Sequence, residues 1–203
     1  MRTLAPLCLL ALSATIAGCA SRPAIEYHTL MPPPDAAAPA AAPATGLRFR
    51  IDNPVRVPSQ VDQPQVVLRQ PDGRLQVLEL QRWVAALSEE WRSALADRLA
   101  RQLGAIDVSR VSAANDAPVF RLQLELQRFD GTPNGAAVQQ ALWSVRRPND
   151  PGPALTCQVM LSEPAGADVA AVAAAQRRVT ARVADGIGAA LLALHEGRPA
   201  ACP

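Results

Sequence analysis

Residues 119–129 read VFRLQLELQRF, and the fold can be worked out from this stretch. Phe120, Leu122, Leu124 and Leu126 alternate with Arg121, Gln123, Glu125 and Gln127. Side chains along a strand point to opposite faces with a period of two, so the pattern predicts a strand with one dry and one wet face. A sheet made of such strands covers its dry face with helices and leaves the other face in water. Downstream, DGTPNG at 130–135 turns the chain into 137–145, and residues 147–153 turn it again into 155–161. Those three strands form a meander. A helix follows over about 168–194, with Val172, Val179, Val183, Ile187, Leu191 and Leu194 on one face. Gln176 falls on that same face, and Gly186 and Gly188 interrupt the interior of the helix.

Upstream, Ser88 offers a capping hydroxyl, and Glu89 and Glu90 follow where a helix dipole favours acids. Trp91, Leu95, Leu99 and Leu103 then repeat every four residues, and Gly104 stands where a left-handed stop belongs. Before this helix, 65–70 and 75–80 flank the turn PDGR at 71–74, which predicts a hairpin. Residues 47–57, LRFRIDNPVRV, begin as an alternating strand that Pro54 interrupts, and 108–111 reads as a short strand. The order is strands, helix, strands, helix. The expected fold is α+β, a mostly antiparallel sheet with two helices packed on one face, in a single domain over 47–203. Trp83, Trp91 and Trp143 supply the large pieces of a core otherwise made of Leu and Val.

The N-terminus is of another kind. A basic start, an uncharged apolar run over 4–16 and then small residues make the three-part layout of an export leader, too short to span a bilayer. Ile16-Ala17-Gly18-Cys19 resembles the bacterial lipobox. That resemblance implies cleavage after residue 18 and acylation of Cys19, and Ala20 in place of Asp favours sorting to the outer membrane. An ordinary leader that leaves Cys19 as a plain thiol is the other reading. Residues 31–46, MPPPDAAAPAAAPATG, carry five prolines and no apolar periodicity. With the lipidated start they make up a segment over 19–46 that reads as an extended tether giving the domain reach from the membrane. Residues 26–30 could supply a strand ahead of it.

Removing the leader takes away Arg2 and lowers the formal net charge from +2 to +1. A near-neutral chain excludes nucleic acid as an electrostatic partner. Cys8 leaves with the leader and Cys19 is accounted for, so Cys157 and Cys202 are the pair that an oxidising compartment can join. The alternative is a buried Cys157 and a free Cys202 in a frayed tail. Catalytic chemistry has little to work with. His28 and His195 stand far apart in sequence, and neither HExxH, CxxC nor a phosphate-binding glycine loop occurs. No cofactor and no enzymatic role are expected. Arg48, Arg50, Arg56, Arg69 and Arg74 gather around the first strands, as a solvated rim or as an interface.

Residues 55–70 read VRVPSQVDQPQVVLRQ and 75–83 read LQVLELQRW. Val55, Val57, Pro58, Asp62, Pro64, Val66, Val67 and Trp83, then the helix from Ser88, resemble the auxiliary lipoproteins of ABC-type and MCE-type intermembrane transport, the PqiC family. Val61 stands where leucine is usual. Tyr27, Leu30, Phe129, Gly131 and Trp143 also fit the family pattern. The resemblance implies a non-catalytic outer-membrane lipoprotein facing the periplasm, anchored in the inner leaflet by Cys19. Its partners would be a periplasm-spanning MCE-domain protein and the inner-membrane permease and ATPase of that system. The family also includes rings, which implies a homo-oligomer. Val57, Pro58, Val61, Asp62 and Pro64 form the candidate docking loop, since prolines around Asp62 stiffen it and a stiff loop loses little entropy on binding. The other functional readings are a lipid-binding carrier and an envelope-assembly lipoprotein unconnected with transport.

Overall fold

The computed structural model describes residues 23–33, 45–111 and 118–203. Cys19, the leader and most of the Pro/Ala-rich stretch lie outside them. The elements run β1 (Glu26–His28), β2 (Arg48–Ile51), β3 (Gln65–Arg69), β4 (Leu75–Trp83), α1 (Leu87–Leu103), β5 (Ile106–Asp107), β6 (Phe120–Gly131), β7 (Ala136–Arg146), β8 (Leu155–Pro164) and α2 (Val169–His195).

The class is α+β with both helices on one face. The strands divide between two mixed sheets, ordered β1-β4-β3 and β5-β2-β6-β7-β8. The hairpin β3–β4 and the meander β6–β7–β8 are antiparallel, whereas β1 lies parallel to β4, and β2 lies parallel to both β5 and β6. Parallel neighbours need crossover connections, and here the hairpin and α1 intervene between β2 and its partners. The mixture therefore follows from where long connections return.

The meander keeps the predicted alternation, with one adjustment. Buried positions are even-numbered from Phe120 to Leu126 but odd-numbered at Phe129 and Gly131. A bulge between Leu126 and Arg128 absorbs the extra residue. It turns Phe129 inward, where its ring meets that of Trp83 edge-on at 5.9 Å and joins the two sheets. A Cβ on Gly131 would come within 2.5 Å of Val172 Cγ1, so glycine there lets α2 lie close to the sheet.

In α1 the stripe Trp91, Leu95, Leu99 and Leu103 is buried, each side chain stabilising by about 1.5 to 3 kcal/mol. Gly104 ends the helix at φ 56°, its N–H bonded to Ala100 O. Ser88 is not the cap. The N-cap is Ala86, without a side-chain bond, and the acids of the first turn are left to favour that end. The strand expected at 108–111 falls instead at Ile106–Asp107, because Gly104 redirects the chain at once and Ile106 and Val108 donate to Leu47 O and Phe49 O. In α2, Asp168 accepts from Ala171 N. Gly188 sits where a Cβ would meet Gln102 Oε1 at 2.9 Å and Gly186 where it would meet Pro203 Cγ at 3.1 Å, so these glycines permit close approach to α1 and to the C-terminal tail.

The domain begins earlier than residue 47. β1 pairs with β4, and Leu30 is buried. Glu90, itself buried, accepts from Leu30 N at 2.8 Å and from Thr29 Oγ1 at 2.7 Å. The chain after Met31 therefore connects two parts of the fold.

On the dry face, Gln139 of β7 has no exposed surface. Its Oε1 accepts from Trp91 Nε1 of α1 at 3.0 Å, and its Nε2 lies 2.9 to 3.0 Å from Gln176 Oε1, Gln176 O and Thr180 Oγ1 of α2. Gln176 Nε2 donates in turn to Asp130 O at 2.7 Å. Gln139→Leu strands the Trp91 indole N–H and the Gln176 Oε1, each without its Gln139 partner. We expect a loss of about 2 to 4 kcal/mol in urea unfolding. Gln176→Leu added to it should cost less than on its own, the mark of one coupled network.

Cys157 and Cys202 are joined, which ties the tail to β8. Mass spectrometry of the unreduced protein should find neither cysteine alkylated, and reduction should lower stability by about 2 to 4 kcal/mol. Alkylation of both without reductant would refute the pairing.

Candidate docking face

The candidate docking loop grows out of β2. After Ile51 the Asn53–Pro54 peptide is cis, and the chain resumes alongside β6, where Arg56 bridges to Glu125 and Arg56 O accepts from Leu126 N at 2.8 Å. Pro58 O then accepts from both Val61 N at 3.0 Å and Asp62 N at 3.1 Å. That tight turn drives Val61 into the core and leaves Asp62 in water. Beyond it, Pro64 O accepts from Trp83 N at 2.8 Å. One end of the loop is thus fixed to the five-stranded sheet and the other to the three-stranded one.

This arrangement divides the predicted docking residues. Val57 and Pro58 are half-buried and Val61 is buried, so they seat the loop; Asp62 and Pro64 are exposed, with Ser59 and Gln60 beside them. The surface that a partner can touch is the polar crest of the loop.

Beside the loop lies an open cleft of about 310 Å³. Asp52, Asn53, Pro54 and Arg56 wall it, and Gln123, Glu125 and Ser144 from the wet face of the sheet lie along its floor. Asp52 accepts from Arg121 at 3.0 Å, and Arg56 stands 3.8 Å from Glu125. Exposed pairs of this kind contribute little to stability, but they set the charge pattern that a partner meets. Further along the wet face, Gln127 Oε1 accepts from Gln140 at 3.1 Å and from Gln158 at 2.6 Å. Sequence reasoning did not single out this glutamine group; its signal is the polar half of the alternation in β6 and β7. A second groove, of about 180 Å³, lies between the helices and is lined by Leu30, Pro32, Ala94, Arg98 and Arg177. It falls below the range of about 300 to 1,000 Å³ usual for small-molecule sites, and the larger cleft is polar where such sites are mostly apolar.

The arginines of the first strands are mostly paired. Arg69 Nε donates to the buried Asp130 at 2.7 Å, and Arg74 Nε to Asp72 at 2.6 Å. The Asp72 carboxyl is held below the usual range by the Arg74 side chain and then by its backbone N–H. His28 Nε2 lies 2.6 Å from Gln81 Oε1 and its ring packs on Trp83, while His195 meets Phe120 edge-on at 6.3 Å. Among the described residues no three metal-ligating side chains converge.

Residues 28–188 match the model of a family described as ABC-type transport auxiliary lipoprotein component. Among solved structures, one described only as an uncharacterized protein is similar at TM-score 0.64 and 18% identity, covering 82% of this chain and 97% of its own. A Xanthomonas campestris protein assigned to the family DUF330 is similar at TM-score 0.60 and 19% identity, covering 85% of this chain and 98% of its own. At such identities the likeness is one of fold. Among curated proteins none matches the sequence.

The division between seat and crest can be checked by calorimetry. Asp62→Ala and Gln60→Ala should melt within about 0.5 kcal/mol of the parent, and Val61→Ala should cost about 1 to 3 kcal/mol. Equal losses at all three positions would mean that the crest is also part of the packing.

Proposed function

As the chain belongs to the family of ABC-type transport auxiliary lipoprotein components, we propose that it is the non-catalytic outer-membrane subunit of an MCE/ABC-type intermembrane lipid transport system. Cys19 carries the lipid anchor in the inner leaflet, and the domain faces the periplasm. It receives the periplasm-spanning MCE-domain protein, whose inner-membrane permease and ATPase supply the energy, and through this link it supports the integrity of the outer membrane.

The family match over 28–188 carries this reading. The lipobox-like IAGC at 16–19 supports the anchor, and Ala20 supports outer-membrane sorting. The loop over 57–64 supports docking: both its ends are bonded to sheets, so its exposed crest is ordered before a partner arrives. The polar cleft beside it suits a protein segment better than an acyl chain, which favours the docking reading over a lipid carrier. Copies of the chain associate, in this reading, through the wet face. The end of β8 is a poor edge for pairing, since Arg182 and Arg178 donate to Ser162 O at 3.0 Å and Pro164 O at 2.8 Å.

Affinity purification of the tagged, acylated protein from membranes tests the proposal. An MCE-domain protein with its permease and ATPase should co-purify, and Asp62→Arg should reduce their recovery while the folded protein persists. A clean preparation without an MCE-domain partner would favour the envelope-assembly reading.

A further inference from the structure

Four large apolar side chains stand in water on one face of the three-stranded sheet: Ile25, 41% exposed, Tyr27, 61%, Leu80, 39%, and Val84, 63%. The register explains why they gather. Tyr27 pairs with Arg82, so the alternation places Ile25 beside Leu80, and Val84 N extends the ladder to His28 O at 3.0 Å. The intervening residues face the other way: His28 packs on Trp83, and Trp83 on Phe129 in the core. Scattered exposed apolar residues need no explanation, but a cluster on one unpartnered sheet face marks an interaction surface.

The position of β1 in the chain indicates what covers it. Ile25 lies six positions after Cys19, a span of at most about 20 Å even when fully extended. A domain of this size is about 40 Å across. An anchor at Cys19 therefore cannot reach around the molecule, and the face that carries Ile25 and Tyr27 must lie near the bilayer. Its composition agrees. Tyrosine is favoured at the headgroup level, where its ring is in the apolar layer and its hydroxyl in the wet one. Arg82 stands among the apolar side chains as a cation for anionic headgroups.

We propose that Ile25, Tyr27, Leu80 and Val84, with Arg82, form a membrane-contact face that lays the three-stranded sheet on the inner leaflet holding the anchor. The proposal rests on acylation of Cys19. It orients the domain at the bilayer surface, with no stalk between anchor and domain.

The test uses the acylated protein in vesicles of phosphatidylethanolamine and phosphatidylglycerol. A spin label on Val84→Cys or Tyr27→Cys has the only free thiol, because Cys157 and Cys202 are joined and Cys19 is modified. Ala189→Cys, exposed on α2, is the reference. At 27 and 84 collisions with a water-soluble nickel chelate should fall several-fold on vesicle binding and collisions with oxygen should rise, with little change at 189. Equal accessibility at all three positions in acylated protein overturns the face and leaves the anchor standing. A mass spectrum showing Cys19 without acyl chains overturns the anchor and the face together. Protection at 27 and 84 that persists without vesicles in a form lacking residues 1–19, with a doubled mass in light scattering, assigns the face to a second copy and overturns the membrane contact.

Discussion

The amide of Gln139, sealed between the sheet and both helices, is the constraint from which the rest of the arrangement follows. An amide without exposed surface must find its partners inside the protein, and these stand on Trp91 of one helix and on Gln176 and Thr180 of the other. Apolar stripes alone would let the helices slide along the dry face, since the hydrophobic effect is not directional. The hydrogen bonds select one register. That register brings Val172 over Gly131, where a methyl group would not fit, and it sets Glu90 at the end of α1 against Thr29 and Leu30. The N-terminal strand is thus held in place by a helix whose own position depends on a glutamine in β7.

What could be read from the residues was what local patterns encode. VFRLQLELQRF, the Trp91 to Leu103 stripe and the PDGR turn each carry a period or a turn chemistry within a dozen residues, and each corresponds to an observed element. Gln176 was visible as a polar interruption on an apolar face, although its partner Gln139 looked like any other alternating position. Residues 26–30 read as a candidate strand and β1 forms there, but its pairing with a strand more than fifty positions away carried no local signal. Two further features had none. The parallel order around β2 depends on connections that return through a helix. The burial of Val61 depends on a turn closed by the Pro58 carbonyl, which the two prolines announce only as stiffness. The site was legible to the same degree: the loop was marked, while its division into seat and crest needed the coordinates.

The two faces of the five-stranded sheet have different chemistry. The dry face is closed by both helices, and the groove between them holds about 180 Å³. The wet face carries glutamine side chains already hydrogen-bonded to one another, along with paired charges. Such a surface can meet another polar surface without first losing order. All twenty basic residues are arginines, and several serve as planar clamps, as Arg69 does on Asp130 and Arg98 on Asp185. The Asp185 carboxylate, bonded to Arg98, raises the basicity of that guanidinium further.

The Pro/Ala-rich stretch has a mechanical meaning once β1 is placed. A pull arriving through Cys19 would not draw on that stretch first. It would fall on three strand residues, on buried Leu30 and on the Glu90 carboxylate that holds it. With Cys19 anchored, β1 paired to β4 would keep the domain close to its anchor. Were β1 to peel from β4, the chain over 31–46 would add up to about 50 Å of reach. A lipid-anchored molecule would then have two working lengths, a short one while the catch is closed and a long one under tension, with the difference set by a connection that looks in sequence like a simple spacer.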